Sequence, residues 1–115
     1  MAANVQRSVG IPEQAFTSPE DAWFWAMTSL QARREGARGG GAGVPRPCEP
    51  DDILRCLDGL YRNQRIGLPH ARVLRTWGER RARPDPSRGR GSEYALWQEA
   101  MDRMEPILRQ KGIVS

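Results

Sequence analysis

The residues able to do chemistry are few: one histidine, two cysteines and 14 acids in 115 residues. His70 follows Pro69 on what reads as the first turn of a helix, where a lone imidazole serves as a surface or capping group. Cys48 and Cys56 are eight apart, a spacing that fits no common zinc pattern, and two thiols with one imidazole cannot complete a four-ligand site. No serine stands in a nucleophile-elbow pattern. Glu20, Asp21, Asp51, Asp52 and Glu93 all fall in first turns of expected helices, where the positive end of the helix dipole already accounts for them. Gly39-Gly40-Gly41 is not followed by Gly-Lys-Ser/Thr, so it does not make a phosphate loop. The chain therefore reads as non-enzymatic, with no cofactor and no metal.

What the sequence does concentrate is positive charge. Between Arg62 and Arg90 nine arginines face two acids, Glu79 and Asp85, while the segments before and after are slightly acidic. Of the 18 basic residues only Lys111 is lysine. A coding bias toward arginine accounts for the residue type but not for the clustering. Such a patch needs an anionic neighbour or much water.

These residues must be positioned by helices, because no segment alternates as a strand does and helical periodicity recurs. Residues 1–17 read as a weakly ordered arm in which one apolar group, such as Phe16, can staple onto the first helix. Ser18-Pro19-Glu20-Asp21 is a strong start signal for a helix over 18–35, and Gly36 is its natural stop. Residues 36–47 form a Gly/Pro linker. The rest, 48–115, reads as one helical module. Its second helix begins near Cys48 or Glu49 and ends at Asn63, expected in the left-handed conformation. A third opens at Pro69, carries Ala71, Val73, Leu74 and Trp77 as its stripe, and frays between Gly78 and Arg83. After the loop 84–91, Ser92 caps a last helix with Tyr94, Trp97, Met101, Met104 and Leu108 at helical steps and a kink or restart expected at Pro106. The fold class is thus all-α: a small bundle of about four helices with a helix-turn-helix-like pair. Both cysteines read as reduced thiols of a cytoplasmic protein. The first 16 residues lack the long apolar run of a signal peptide, and no stretch approaches the 18 apolar residues of a membrane span.

With Gly67 at the turn, Ile66, Leu68 and Val73 fall where a helix-turn-helix wants apolar residues, while Arg62 and Thr76 depart from that pattern. Together with the striped helix Tyr94-Ala95-Leu96-Trp97-Gln98-Glu99-Ala100-Met101, residues 48–111 resemble the small helix-turn-helix regulators of bacteria and their phages, including the region-4 type of sigma factors. The resemblance implies nucleic-acid binding, DNA first, in a regulatory or phage-related role. The residues that would carry it are Arg62, Arg65, Arg72, Arg75, Arg80, Arg81 and Arg83, with Arg88 and Arg90 making looser phosphate contacts. The alternative is an adaptor or inhibitor that meets an acidic protein through the same arginines and through Trp23 and Trp25. Three adjacent aromatics, Trp23-Phe24-Trp25, point three ways from a helix, so at least one is expected to be partly exposed. Partner identity and oligomeric state are not written in the sequence.

Overall fold

The computed structural model describes residues 12–36, 44–87 and 92–115. They form four helices: α1, Pro19–Arg34; α2, Pro50–Arg62; α3, Leu68–Arg80; and α4, Ser92–Gln110. The chain is all-α. Among the described residues the sole β contact is an isolated parallel bridge between Phe16 and Val114.

The helix starts follow local chemistry. Ser18 Oγ accepts the Asp21 N–H at 3.2 Å, with Pro19 at the first helical position. Asp52 reaches back to the Glu49 N–H at 2.8 Å ahead of α2. At α3 the same role falls to His70, whose Nδ1 accepts the Gly67 N–H at 3.0 Å. Gly36 takes φ +84° just after α1, as a helix stop requires.

One ending differs from the expectation. The left-handed residue after α2 is Gln64 (φ 61°), one past Asn63, which keeps a right-handed φ of −88°. α3 ends at Arg80, within the expected span from Gly78 to Arg83, with Arg81 left-handed (φ 56°) as its cap. α4 runs through Pro106 to Gln110. Of the expected arm, residues 12–17 are described, and Phe16 is 2 % exposed. Its N–H donates to Ile113 O at 2.8 Å, and its carbonyl accepts from Ser115 at 2.9 Å. Arg46, near the end of the linker, lies 4.1 Å over the Phe16 ring. Residues 37–43 of the linker and Arg88, Arg90 of the later loop lie outside the described residues.

α1 is the hub. Its three consecutive aromatics go to three partners: Trp23 to α3, Phe24 stacked on Trp97 of α4 at 5.6 Å, and Trp25 against Phe16 at 5.2 Å. α1 packs on all three other helices, and α4 also packs on both α2 and α3. α2 and α3 hardly touch each other. The core is one cluster centred on Trp97, Ile53, Leu74, Met104 and Leu108.

Gly78 sets how closely α1 approaches α3. A Cβ there would stand 2.6 Å from Trp23 Nε1 and 2.8 Å from Met27 Cγ. Gly59, inside α2, has nothing within 4 Å of an added Cβ. Gly78→Ala should therefore destabilise the fold by about 1–3 kcal/mol through overpacking. Gly59→Ala should stabilise it by about 0.5–1 kcal/mol through helix propensity alone. Urea titration of both variants checks this, and a shift of the same sign in both would overturn the assignment of Gly78 as a contact glycine.

Candidate functional site

Where α2 and α3 fail to meet, a groove of about 600 Å³ opens over α1. Its floor is the stripe Trp23, Met27 and Leu30 of α1. One wall is Leu54 and Leu57 of α2, the other Ala71 of α3. α2 carries two parallel apolar rows at helical spacing. Ile53, Cys56 and Leu60 are buried in the core, whereas Leu54, Leu57 and Tyr61 are half-buried or exposed. Tyr61 and Leu68 are the exposed large apolar residues among those described, and both border a second depression at the α2–α3 corner.

The rim of the groove is cationic. Arg33, Arg34 and Arg75 line it, with Glu79 as the one acid lining it among the described residues. Arg33 reaches Asp51 at 3.4 Å and Arg75 reaches Glu79 at 3.5 Å, both largely exposed pairs. Arg34 has no ion-pair partner among the described residues. At a helix C-terminus Arg33 and Arg34 are also favoured by the dipole.

The expected nucleic-acid residues are divided among three places. Arg62 and Arg65 stand at the α2–α3 corner, Arg62 paired with Asp58 at 3.0 Å. Arg72, Arg75 and Arg80 are exposed on α3, with Arg80 lying 4.7 Å over the Trp77 ring. Arg81 and Arg83 are turned to α1. Arg81 donates to Thr28 Oγ1 at 3.0 Å and to Gln31 Oε1 at 3.2 Å, while Arg83 faces Glu20 at 3.7 Å. Arg65 and Arg72 have no ion-pair partner among the described residues. Arg62 and Thr76, at positions a helix-turn-helix would bury, are exposed.

Trp23 is not an exposed partner-contact residue. It is 2 % exposed, and its Nε1–H donates to Leu74 O at 3.0 Å, so most of its ring is core and only an edge reaches the groove floor. Trp25 is half-buried against Phe16, away from the groove lining. Met27 and Leu30 of α1 and Leu54 and Leu57 of α2 stand at apolar helical spacing in the sequence, and Arg34 in a last turn, which marks stripes and a helix end but not a shared site. The signal of the groove was there in part, as the second apolar row on α2 beyond what one buried face needs.

The reactive groups are held for structure. With Nδ1 of His70 accepting from Gly67, its ring proton sits on Nε2 and is directed at Glu99 Oε1, 2.7 Å away. His70 thus caps α3 and ties it to α4. Burial, then the nearby Asp52 and Glu49, push the Cys48 thiol up to about 11, and burial also raises Cys56, so both stay protonated and unreactive near neutrality. Both are free thiols. Among the described residues no three His, Cys, Asp or Glu side chains converge to hold a metal, and no helix is long and apolar enough to cross a membrane. No family model, curated protein or solved structure matches the chain.

The His70 hydrogen bond, helped by Arg103, holds the Glu99 carboxyl below its ordinary value. A carboxyl depressed in the folded state contributes stability that is present above its unfolded value, near 4.5, and lost as pH falls through the folded one. Glu99→Gln should therefore lower the denaturant midpoint at neutral pH, and the gap to wild type should close in acid. A gap that persists unchanged into acid would overturn this role.

Proposed function

We propose that this protein is a non-enzymatic binding module that recognises an acidic, partly apolar surface of another protein, as an adaptor or inhibitor does. The observation that carries this reading is the groove over α1: an apolar floor and wall of Met27, Leu30, Leu54 and Leu57, left open among the described residues, under a rim of Arg33, Arg34 and Arg75. Partner sites combine these two features, an apolar centre that supplies affinity and a charged rim that supplies orientation. The two free thiols support a reducing, cytoplasmic setting.

A second reading, nucleic-acid binding in a regulatory or phage-related role, is favoured by one observation. Exposed Arg65 and Arg72 are left without ion-pair partners next to Arg75 and Arg80. Phosphates are the usual partners of such arginines.

A photo-crosslinking side chain at position 57, in the groove, and one at position 102, exposed on α4, separate the readings in extracts of the source cells. Position 57 should capture one acidic protein that position 102 does not. Equal capture at both positions, or none, sinks the first reading. In parallel, random duplex DNA is titrated at two salt concentrations. The second reading requires binding that weakens steeply with salt, with the slope reduced by about one for each phosphate contact removed in an Arg72→Ala/Arg75→Ala/Arg80→Ala variant.

A further inference from the structure

We propose that the occupant of the groove is an amphipathic α-helix of a partner protein, three turns long, which seats its apolar face on α1 and turns acidic side chains to Arg34 and Arg75. This rests on the reading of the groove as a site for an acidic protein.

The shape of the gap argues for a helix. Trp23, Met27, Leu30 and Arg34 recur at steps of four, three and four along α1, so the floor follows one face of that helix for about 16 Å. α2 and α3 both pack on α1 and hardly touch each other, so they stand as two walls on either side of that floor. A helix laid between them meets Leu54 and Leu57 on one side and Ala71 on the other. Helices pack at axis separations of about 8–10 Å, which lets side chains at i, i+3, i+4 and i+7 enter from above.

The floor chemistry argues against an extended peptide. An extended chain over Met27, Leu30, Leu54 and Leu57 would bring its backbone N–H and C=O groups onto apolar surface. Among the described residues no sheet edge is present to pair them. A helix satisfies those groups internally and presents only side chains.

The charges argue for acids on that helix. Arg34 has no ion-pair partner among the described residues, and the side chain of Arg75 is 76 % exposed in a pair only 3.5 Å from Glu79. Carboxylates on the flanks of the incoming helix take these two guanidinium groups without displacing a buried ion pair. Lysines in the same places would be repelled.

The experiment is fluorescence anisotropy with labelled peptides of about 14 residues, enough to cover the three turns. One peptide carries leucines at i, i+3, i+4 and i+7 with glutamates on the flanks. A second has the same composition in scrambled order. A third keeps the leucine stripe and replaces the glutamates with lysines. The first should bind wild type at least about tenfold more tightly than the other two, a difference of about 1.4 kcal/mol. Leu57→Glu should abolish that preference. Arg34→Glu/Arg75→Glu, at exposed positions that do not support the core, should reverse it in favour of the lysine peptide.

Equal binding of the scrambled peptide overturns the helix while leaving an acidic partner in place. Failure of all three peptides, with position 57 still capturing an acidic protein, likewise removes the helix alone; failure of both removes the reading beneath it. Two further outcomes overturn the proposal by naming another occupant. One is displacement of the peptide by a long-chain fatty acid that binds more tightly than it does. The other is concentration-dependent self-association abolished by Leu57→Glu.

Discussion

The indole of Trp23 reaches α3 because position 78 carries no side chain. The ring edge lies where a Cβ would be, and its N–H finds the carbonyl of Leu74 one turn earlier on the same helix. That single seat brings α1 close to α3. Because α1 is also bound to α2 and α4, it fills the middle of the bundle, and α2 and α3 are held apart on either side of it. The groove is the consequence. It exists because the helix at its floor has its deepest aromatic buried in a neighbour rather than raised into the gap.

The rest of the molecule secures α1 in that position. Trp97 is fully buried, and its N–H donates to Glu20 Oε2 at 2.6 Å, on the first turn of α1. The same carboxylate faces Arg83 just beyond α3. At the far side Phe16 lies under Arg46 and pairs with the chain's last residues, while Gly112, with φ +77°, turns the tail back toward it. Arg81 completes the arrangement by tying the end of α3 to Thr28 and Gln31. Buried polar atoms are expensive unless paired, and the indole N–H groups of Trp23 and Trp97 both are. Trp77 Nε1 is the buried side-chain polar atom left unpaired among the described residues.

Local signals in the chain were readable because they act over a few residues. Ser18 caps the helix it precedes, Gly36 ends it, and the stripe of Trp97, Met101, Met104 and Leu108 is buried along α4. Glycine's low helix propensity makes Gly78 legible as a sign that α3 nears its end, but the contact its missing side chain serves is 55 positions away in the sequence and leaves no local mark. The tail of the arginine cluster shows the same limit. Its charges are adjacent in sequence, yet Arg81 and Arg83 are engaged by α1 and Arg34 of α1 joins the side of α3 that holds Arg75. Of the groove, the apolar stripes of α1 and α2 are legible, but not that part of each stays open. Which row faces the core depends on where α1 lies, and helical periodicity carries no information about that.

The same geometry separates the two kinds of anionic partner by the forces each would use. Exposed guanidinium–carboxylate pairs contribute about 0–1 kcal/mol each, so the rim of the groove cannot supply most of the affinity for a protein. In the proposed complex the apolar floor would supply it, and burial of such surface depends little on salt, so the arginines would be left to steer approach and fix direction. A nucleic acid would have little use for that floor. It would rely on phosphate contacts from Arg65, Arg72, Arg75 and Arg80, and its affinity would fall steeply as salt displaced it. Arg81 and Arg83 are turned to α1, and Arg62 and Arg75 stand in exposed pairs with Asp58 and Glu79, so fewer arginines are free for phosphate than the sequence count implies. Among the described residues apolar surface lies open next to positive charge, and it is this combination on which the proposal of an amphipathic acidic partner, rather than a uniformly charged polymer, rests.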